Sequence, residues 1–295
     1  MWAVFRRQML GVAATSAILA GCSSGASMPQ KPVNPESNSR LQLGLSATPP
    51  LVLGRTAHPQ VGILHCPSSG PLEYVSDGGK SVIYVYAGKF AGQAPCGQLA
   101  SWIFEPVGLF VKPSTHDLYI ASEGLDAIAV YHRGATTPYN LYNDPSGQMH
   151  YDVAVAKDGT VISSNLHSSG LERGSISTWR GGPNGGTFVG NFPITATNDF
   201  GGFVTIEKAG TVYFNDINGS GKGELFSVSC PAGACGPQTQ VAGVSFRFYG
   251  GMAFDTAGDL IAVDLDQMGR SSMIDTFKLP NPSPATFPSL VNLSD

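Results

Sequence analysis

Apolar and polar positions alternate in short runs along most of this chain, and the runs return at a regular interval. Five segments share one form, a polar or glycine-rich turn followed by a β-rich run that ends in a small polar residue. They are 72–77 (LEYVSD), 117–122 (DLYIAS), 160–165 (TVISSN), 211–216 (TVYFND) and 259–264 (DLIAVD). Their last residues lie 45, 43, 51 and 48 positions apart. A second run follows each after a polar loop: 81–86, 127–131, 175–179, 224–228 and 272–277. A third run precedes each: 61–64, 108–111, 152–155, 202–206 and 251–254. Alternation with period two is the mark of a β-strand. The turns Lys157-Asp158-Gly159, Lys208-Ala209-Gly210 and Thr256-Ala257-Gly258 end on glycine, which accepts the positive φ of a tight hairpin. Fourth strands are less regular, with 98–104 and 187–192 the plausible members.

Four short antiparallel strands in every 43–51 residues is the arithmetic of a propeller blade. The reading is therefore an all-β fold, a β-propeller of four-stranded antiparallel blades. Five repeats are recognisable, and a sixth blade would have to come from residues 41–53 pairing with 289–293. Such pairing would also latch the ring shut and cover its terminal edges. Trp102, Trp179, Tyr119, Tyr131, Tyr213 and Phe277 fall within strand patterns and are expected in the core between blades. Tyr139, Tyr142, Tyr151, Phe246, Phe248 and Tyr249 fall nearer loops, where some would line a concave face for a peptide or glycan.

Composition supports this picture. The chain has 295 residues, 42% hydrophobic and only 13% charged, with 37 glycines and 21 prolines. That is too apolar for a disordered chain and too poor in charge for long solvated helices. A net charge of −4 gives no basic footprint, so nucleic acid is excluded as a partner.

The pattern Gly108-Leu109-Phe110-Val111, Asp117-Leu118-Tyr119-Ile120-Ala121-Ser122, Ile128-Ala129-Val130-Tyr131 resembles the NHL-repeat and related TolB-like propellers. Asp152-Val153-Ala154-Val155 with Asp158-Gly159-Thr160-Val161, and Gly251-Met252-Ala253-Phe254-Asp255 with Gly258-Asp259-Leu260, carry the same likeness. The resemblance covers roughly residues 60–280. It implies six blades where the repeats count five, and it extends to lactonase- and lyase-like propellers with a site at the channel mouth.

The N-terminus reads as an address. Arg6 and Arg7 precede an apolar run from Met9 to Ala20, too short to span a bilayer, which needs roughly 20 apolar residues. Leu19-Ala20-Gly21-Cys22 resembles a bacterial lipobox. Residues 1–21 are then a lipoprotein signal peptide, with Cys22 the lipidated first residue of the mature chain. Residues 22–50 form a Ser/Pro/Asn-rich tether and 51–295 a single propeller domain. Acyl chains (palmitate among them) would hold the protein on a membrane of the cell envelope. Ser23 favours the outer membrane in a Gram-negative host. The four other cysteines, Cys66, Cys96, Cys230 and Cys235, fit an oxidising compartment. Cys230 and Cys235 flank a short loop that a disulfide would close, leaving Cys66 with Cys96. Three pairings remain open, and free thiols or a zinc site are the rivals.

The candidate chemistry divides into symmetric and asymmetric residues. Asp77, Ser122, Asn165, Asp216 and Asp264 end equivalent strands, and Asp77, Asp216 and Asp264 would supply hard oxygen ligands to Ca²⁺ or another divalent cation. Capping of turns is the competing role. Glu105, His150 and Asp199, with Tyr249 and Arg247, stand just before the third-type runs, where they break the symmetry. His150 and Asp199 would form an acid/base pair, with Glu105 a second carboxylate. The leading function read from the sequence is a lipid-anchored envelope module binding a protein, peptide or glycan. Its contact loops would be 166–173, 181–186 and 217–223. The alternative is a propeller hydrolase, lactonase or lyase with a site at the channel mouth.

Overall fold

The computed structural model describes residues 62–88, 93–166, 174–182, 185–194, 201–217, 222–248, 250–265, 272–279 and 284–285. Within them the strands form five four-stranded antiparallel sheets, arranged radially around an axis. The first blade holds β1 (Ile63–Leu64), β2 (Leu72–Asp77), β3 (Val82–Ala87) and β4 (Gly97–Leu99). The second holds β5 (Pro106–Val111), β6 (Leu118–Ser122), β7 (Ala127–Tyr131) and β8 (Asn140–Asn143). The third holds β9 (His150–Val155), β10 (Val161–Asn165), β11 (Ser175–Arg180) and β12 (Thr187–Pro193). The fourth holds β13 (Gly201–Ile206), β14 (Thr211–Ile217), β15 (Gly223–Ser229) and β16 (Thr239–Phe246). The fifth holds β17 (Met252–Phe254), β18 (Leu260–Leu265), β19 (Ser272–Phe277) and β20 (Pro284–Ala285). Residues 41–53 and 289–293, read as material for a sixth blade, lie outside the described residues.

Alternating side chains explain why the blades stack. On β6, Leu118 and Ile120 pack toward Ile83, Val85 and Leu99 of the first blade. Tyr119 and Ala121, one residue out of phase, pack toward Val153, Val161 and Trp179 of the third. Strand period two thus feeds two seams at once, so the central strands read as nearly continuous apolar runs. The next seam joins Ile162 and Ile176 to Val212, Phe214 and Val228. The one after joins Leu225 and Phe246 to Leu260 and Phe277. Each fully buried large side chain stabilises the ring by about 1.5–3 kcal/mol.

Inner strands pack in the order β2, β5, β9, β13, β17. At the centre Gly108 of β5 meets Asp152 of β9 so closely that a Cβ on Gly108 would lie 2.4 Å from the Asp152 Cα. Small polar groups stitch neighbouring blades: the Ser76 hydroxyl donates to Val107 O at 3.1 Å and the Asn215 amide to Gly250 O at 2.9 Å. The turn glycines behave as expected, Gly159 at φ 89° and Gly258 at φ 89°.

The first blade departs from the repeat. Residues 61–64 were read as the third-type run of this blade, which in the other blades is the inner strand; here β1 pairs with β4 at the outer edge. The chain then crosses beneath the blade through 65–71 to reach β2 on the inside. Two links fix that crossing, the Cys66–Cys96 disulfide and a 2.5 Å hydrogen bond from Arg133 Nη2 to Gly70 O. The second disulfide joins Cys230 to Cys235 and closes a short 3₁₀ turn, Pro231–Gly233, whose Gly233 carbonyl accepts the Thr178 hydroxyl at 2.5 Å.

Several aromatic expectations are corrected. Trp102 lies in a turn at φ 54° and is 53% exposed, because the fourth-type strand ends at Leu99 rather than running on to Phe104. Tyr142, Tyr151 and Phe246 are buried on β8, β9 and β16, where strands were not foreseen or began earlier than expected.

Replacing Gly108 by alanine should lower stability by about 3 kcal/mol or more, since the new methyl meets the Asp152 backbone as well as its buried carboxyl. Thermal unfolding of Gly108→Ala tests this. An unchanged midpoint would show that the inner strands do not approach as closely as described.

Candidate functional site

Antiparallel order gives the ring two ends. At the mouth end the inner strands β5, β9 and β13 begin and β6, β10 and β14 finish. At the far end β6 begins, β7 finishes and β8 begins.

The mouth end carries the residues singled out from the sequence. His150 opens β9 and is completely buried. Its Nδ1 lies 2.8 Å from Asn165 Oδ1 and 3.0 Å from Ser163 Oγ. The Asn165 amide nitrogen donates to Ser175 Oγ at 3.0 Å and Ser177 Oγ at 2.8 Å, so its Oδ1 is the acceptor and His150 Nδ1 carries the proton. Nε2 makes no hydrogen bond. Asn191 donates to the same two serines, Ser177 donates to Asp144, and Ser175 reaches Gln148 Oε1 at 3.2 Å. Burial pushes His150 below its ordinary value, against the Asp144 charge, the Asn165 bond and the Asp126 carbonyl. These contacts make a closed polar core inside the third blade, edge-on to Trp179 at 5.6 Å.

Glu105 is exposed; its N–H donates to Ser81 Oγ at 3.2 Å and its carbonyl accepts from Glu123 N at 3.1 Å. The structure does not bring it into hydrogen bond or ion pair with His150. Asp199 and Tyr249 lie outside the described residues, as does Cys22. The three acids read as cation ligands each serve their own surroundings. Asp77 accepts from Lys80 N at 3.0 Å, and Asp216 from Ile217 N at 2.8 Å. Asp264 accepts from Arg247 N at 2.7 Å and Arg247 Nε at 3.2 Å. Among the described residues no three His, Cys, Asp or Glu side chains converge as metal ligands do.

Asp152 is the acid the sequence reading passed over. It sits on β9 between Gly108 and Val204, and its Oδ2 accepts from Val204 N at 2.9 Å. Burial raises its carboxyl to about 7, opposed by the N–H groups of Val204 and Val153.

The far end of the second blade holds a second constellation that sequence reasoning missed. Asp117 precedes β6, His132 follows β7 and Tyr139 precedes β8, so the strand order alone gathers them. His132 Nδ1 lies 2.9 Å from Asp117 Oδ1, and the Tyr139 hydroxyl donates to Asp117 Oδ2 at 3.1 Å. The Tyr139 ring stacks on the imidazole at 3.7 Å with 5° between planes. The His132 side chain is 62% exposed while that of Asp117 is 9% exposed. Burial works to raise the Asp117 carboxyl, but bonds with Thr115, His132 and Tyr139 outweigh it and hold the group below the usual carboxylate range. A carboxylate on Nδ1 fixes that nitrogen as the donor, so that Nε2 is the acceptor of the neutral ring. The available signal was asymmetry: of the five second-type runs, only 127–131 is followed at once by a histidine.

Beside this dyad lies a cleft of about 240 Å³ lined by Leu64, Cys66, Pro67, Leu72, Arg133 and Gly134. A narrower crevice bordered by Tyr74, Leu118 and His132 shares Leu64 and Gly134 with it.

No protein-family model matches the chain, and no curated protein matches it. Solved structures do. A gluconolactonase from Xanthomonas campestris is 16% identical over 70% of this chain and 68% of its own, with a TM-score of 0.50. A chain of a nidogen/laminin complex is 14% identical over 76% of each, at 0.55. A protein of Bacteroides uniformis assigned as a 6-phosphogluconolactonase is 10% identical over 77% of this chain and 70% of its own, at 0.53. The chain spans 64% of one chain of Kuenenia stuttgartiensis hydrazine synthase, under two thirds of that neighbour. At such identities the likeness is one of fold: the chain is a β-propeller of the architecture that gluconolactonase-type propellers also have.

Because the folded state keeps the Asp152 proton to a higher pH than the unfolded chain does, stability should fall as pH rises from about 4 to about 7. Asp152→Asn keeps an oxygen for Val204 N–H and removes the titration. The pH dependence of urea unfolding should be flatter in the variant by on the order of 3 kcal/mol across that window. Parallel curves for the two proteins would refute the buried carboxyl.

Proposed function

We propose that this chain is a propeller hydrolase acting on lactones or simple esters, with its reaction centre at the far end of the second blade. One observation carries the reading: an exposed imidazole, held 2.9 Å from a nearly buried carboxylate, borders a crevice that shares Leu64 and Gly134 with the cleft. His132 Nε2 would take a proton from water as the water oxygen bonds to the acyl carbon. The alkoxy C–O bond then breaks, and the leaving oxygen receives the proton back from Nε2. Asp117 is a positioning residue that fixes the ring and stabilises it while charged. Fold likeness to a gluconolactonase supports the same class of chemistry but not this location.

Glu105, His150 and Asp199 at the mouth are the competing placement of the reaction centre. Complete burial of His150 counts against substrate contact there. A second reading, a module binding a protein, peptide or glycan, is favoured by Trp102, whose indole stands in solvent on the connection between the first two blades. Either activity would operate at the envelope surface if Cys22 is lipidated.

His132→Gln should lower hydrolysis of δ-gluconolactone or p-nitrophenyl acetate roughly 10²–10⁴-fold, with circular dichroism and melting unchanged. His150→Gln should affect melting rather than turnover once corrected for folded protein. Wild-type protein with no hydrolysis above buffer would sink the reading. For the anchor, Cys22→Ser expressed in a bacterium should leave the membrane fraction and lose radiolabelled palmitate; continued labelling would refute lipidation.

A further inference from the structure

We infer that the far-end cleft takes a small acyl substrate bearing a second, free carboxylate, and that Arg133 is the residue that selects it. This rests on the hydrolase reading for the reacting end of the substrate, though not for the anion site itself. Arg133 directly follows His132 and is half-buried in the cleft wall. Its Nη2 donates to Gly70 O at 2.5 Å, which pins the guanidinium while leaving other N–H donors unused. Among the described residues no carboxylate pairs with it; the nearby Asp117 spends its oxygens on His132 and Tyr139. Its charge is nonetheless felt in the crevice, where it opposes the burial that raises the Tyr74 phenol.

A guanidinium held in place without a counter-charge is an anion receptor, and its planar fork matches the two oxygens of a carboxylate. Size narrows the ligand further. About 240 Å³ is less than the roughly 300–1,000 Å³ of drug-sized sites, so the cleft itself holds only a short chain. Leu64, Pro67 and Leu72 would cover the aliphatic middle of that chain. The cleft therefore suits a monoester of a short dicarboxylic acid: the free carboxylate would sit on Arg133 and the acyl end would extend past Leu64 and Gly134 toward the crevice that His132 borders. Water hydrolyses the ester to a dicarboxylate and an alcohol, and the Arg133-bound group takes no part in bond changes.

Calorimetry of the whole chain with glutarate, its neutral diamide and inorganic phosphate tests the site. Glutarate should bind wild type and His132→Gln alike, at least about tenfold more weakly to Arg133→Gln, and at an intermediate level to Arg133→Lys. The diamide should bind wild type at least about tenfold more weakly than glutarate. In turnover, monomethyl glutarate should exceed methyl valerate in kcat/KM for wild type, and Arg133→Gln should abolish the preference. Should Arg133→Gln misfold, the lysine variant and the diamide carry the test. Equal glutarate affinity with and without Arg133, or phosphate bound more tightly than glutarate, would overturn the assignment. Arg133-dependent glutarate binding in a wild type that hydrolyses nothing would uphold the anion site and remove the hydrolase reading.

Discussion

The ring depends on how closely its innermost strands approach one another. At Gly108 the chain gives up a side chain so that β5 can lie against the backbone of β9, and on the other side Val204 N–H reaches Asp152. That approach sets the spacing at which Tyr119, Trp179, Phe214 and Phe226 interdigitate further out. If the inner strands stood a methyl group farther apart, each seam would open like a wedge and forfeit dispersion contacts along its length. A carboxyl at this point is costly, and the structure meets the cost by keeping Asp152 protonated over part of the ordinary pH range.

The same tightness separates structural polar groups from chemically available ones. Inside the third blade, His150, Asn165, Ser175, Ser177 and Asn191 satisfy one another, apart from His150 Nε2. Buried networks of this kind rigidify the core and fix one arrangement of neighbouring strands. At the far end the second blade holds an equally well-oriented histidine, but in water. Orientation without enclosure is what a general base needs, and there it comes from a single buried carboxylate and a stacked phenol.

Legibility followed repetition. Period two and the 43–51 residue interval were enough to place the second-type strands, the third-type strands of every blade but the first, the glycine turns and the five blades, because each segment faces the same packing problem. Both disulfides were readable as candidates but not as a pairing, since spacing alone does not choose among partners. The fourth strands were harder. Asn140–Asn143 and Thr239–Phe246 lie at sheet edges, where half the backbone need not pair and side chains are less constrained. Tyr142 therefore looked like a loop residue, though it fills a seam. His132, Asp117 and Tyr139 were invisible as a group because they are brought together by strand order across 22 residues, not by a local motif.

The place where the repeat fails is also the place where a cleft exists. Regular blades pass from the outer strand of one to the inner strand of the next at the mouth, and join neighbouring strands of one sheet at the far end. In the first blade the chain enters at the outer edge as β1, so it must return to the axis beneath its own sheet. The returning segment spans residues 65–71 before it joins β2 at Leu72. Tied at Cys66 and at Gly70, it stands off and encloses space against Gly134 and Arg133 of the neighbouring blade. A propeller with five identical blades would have no such hollow. The connection that follows the permuted strand supplies a wall of the candidate site through Cys66 and Pro67. The disulfide and the arginine hold that wall, and with it the cleft, in shape.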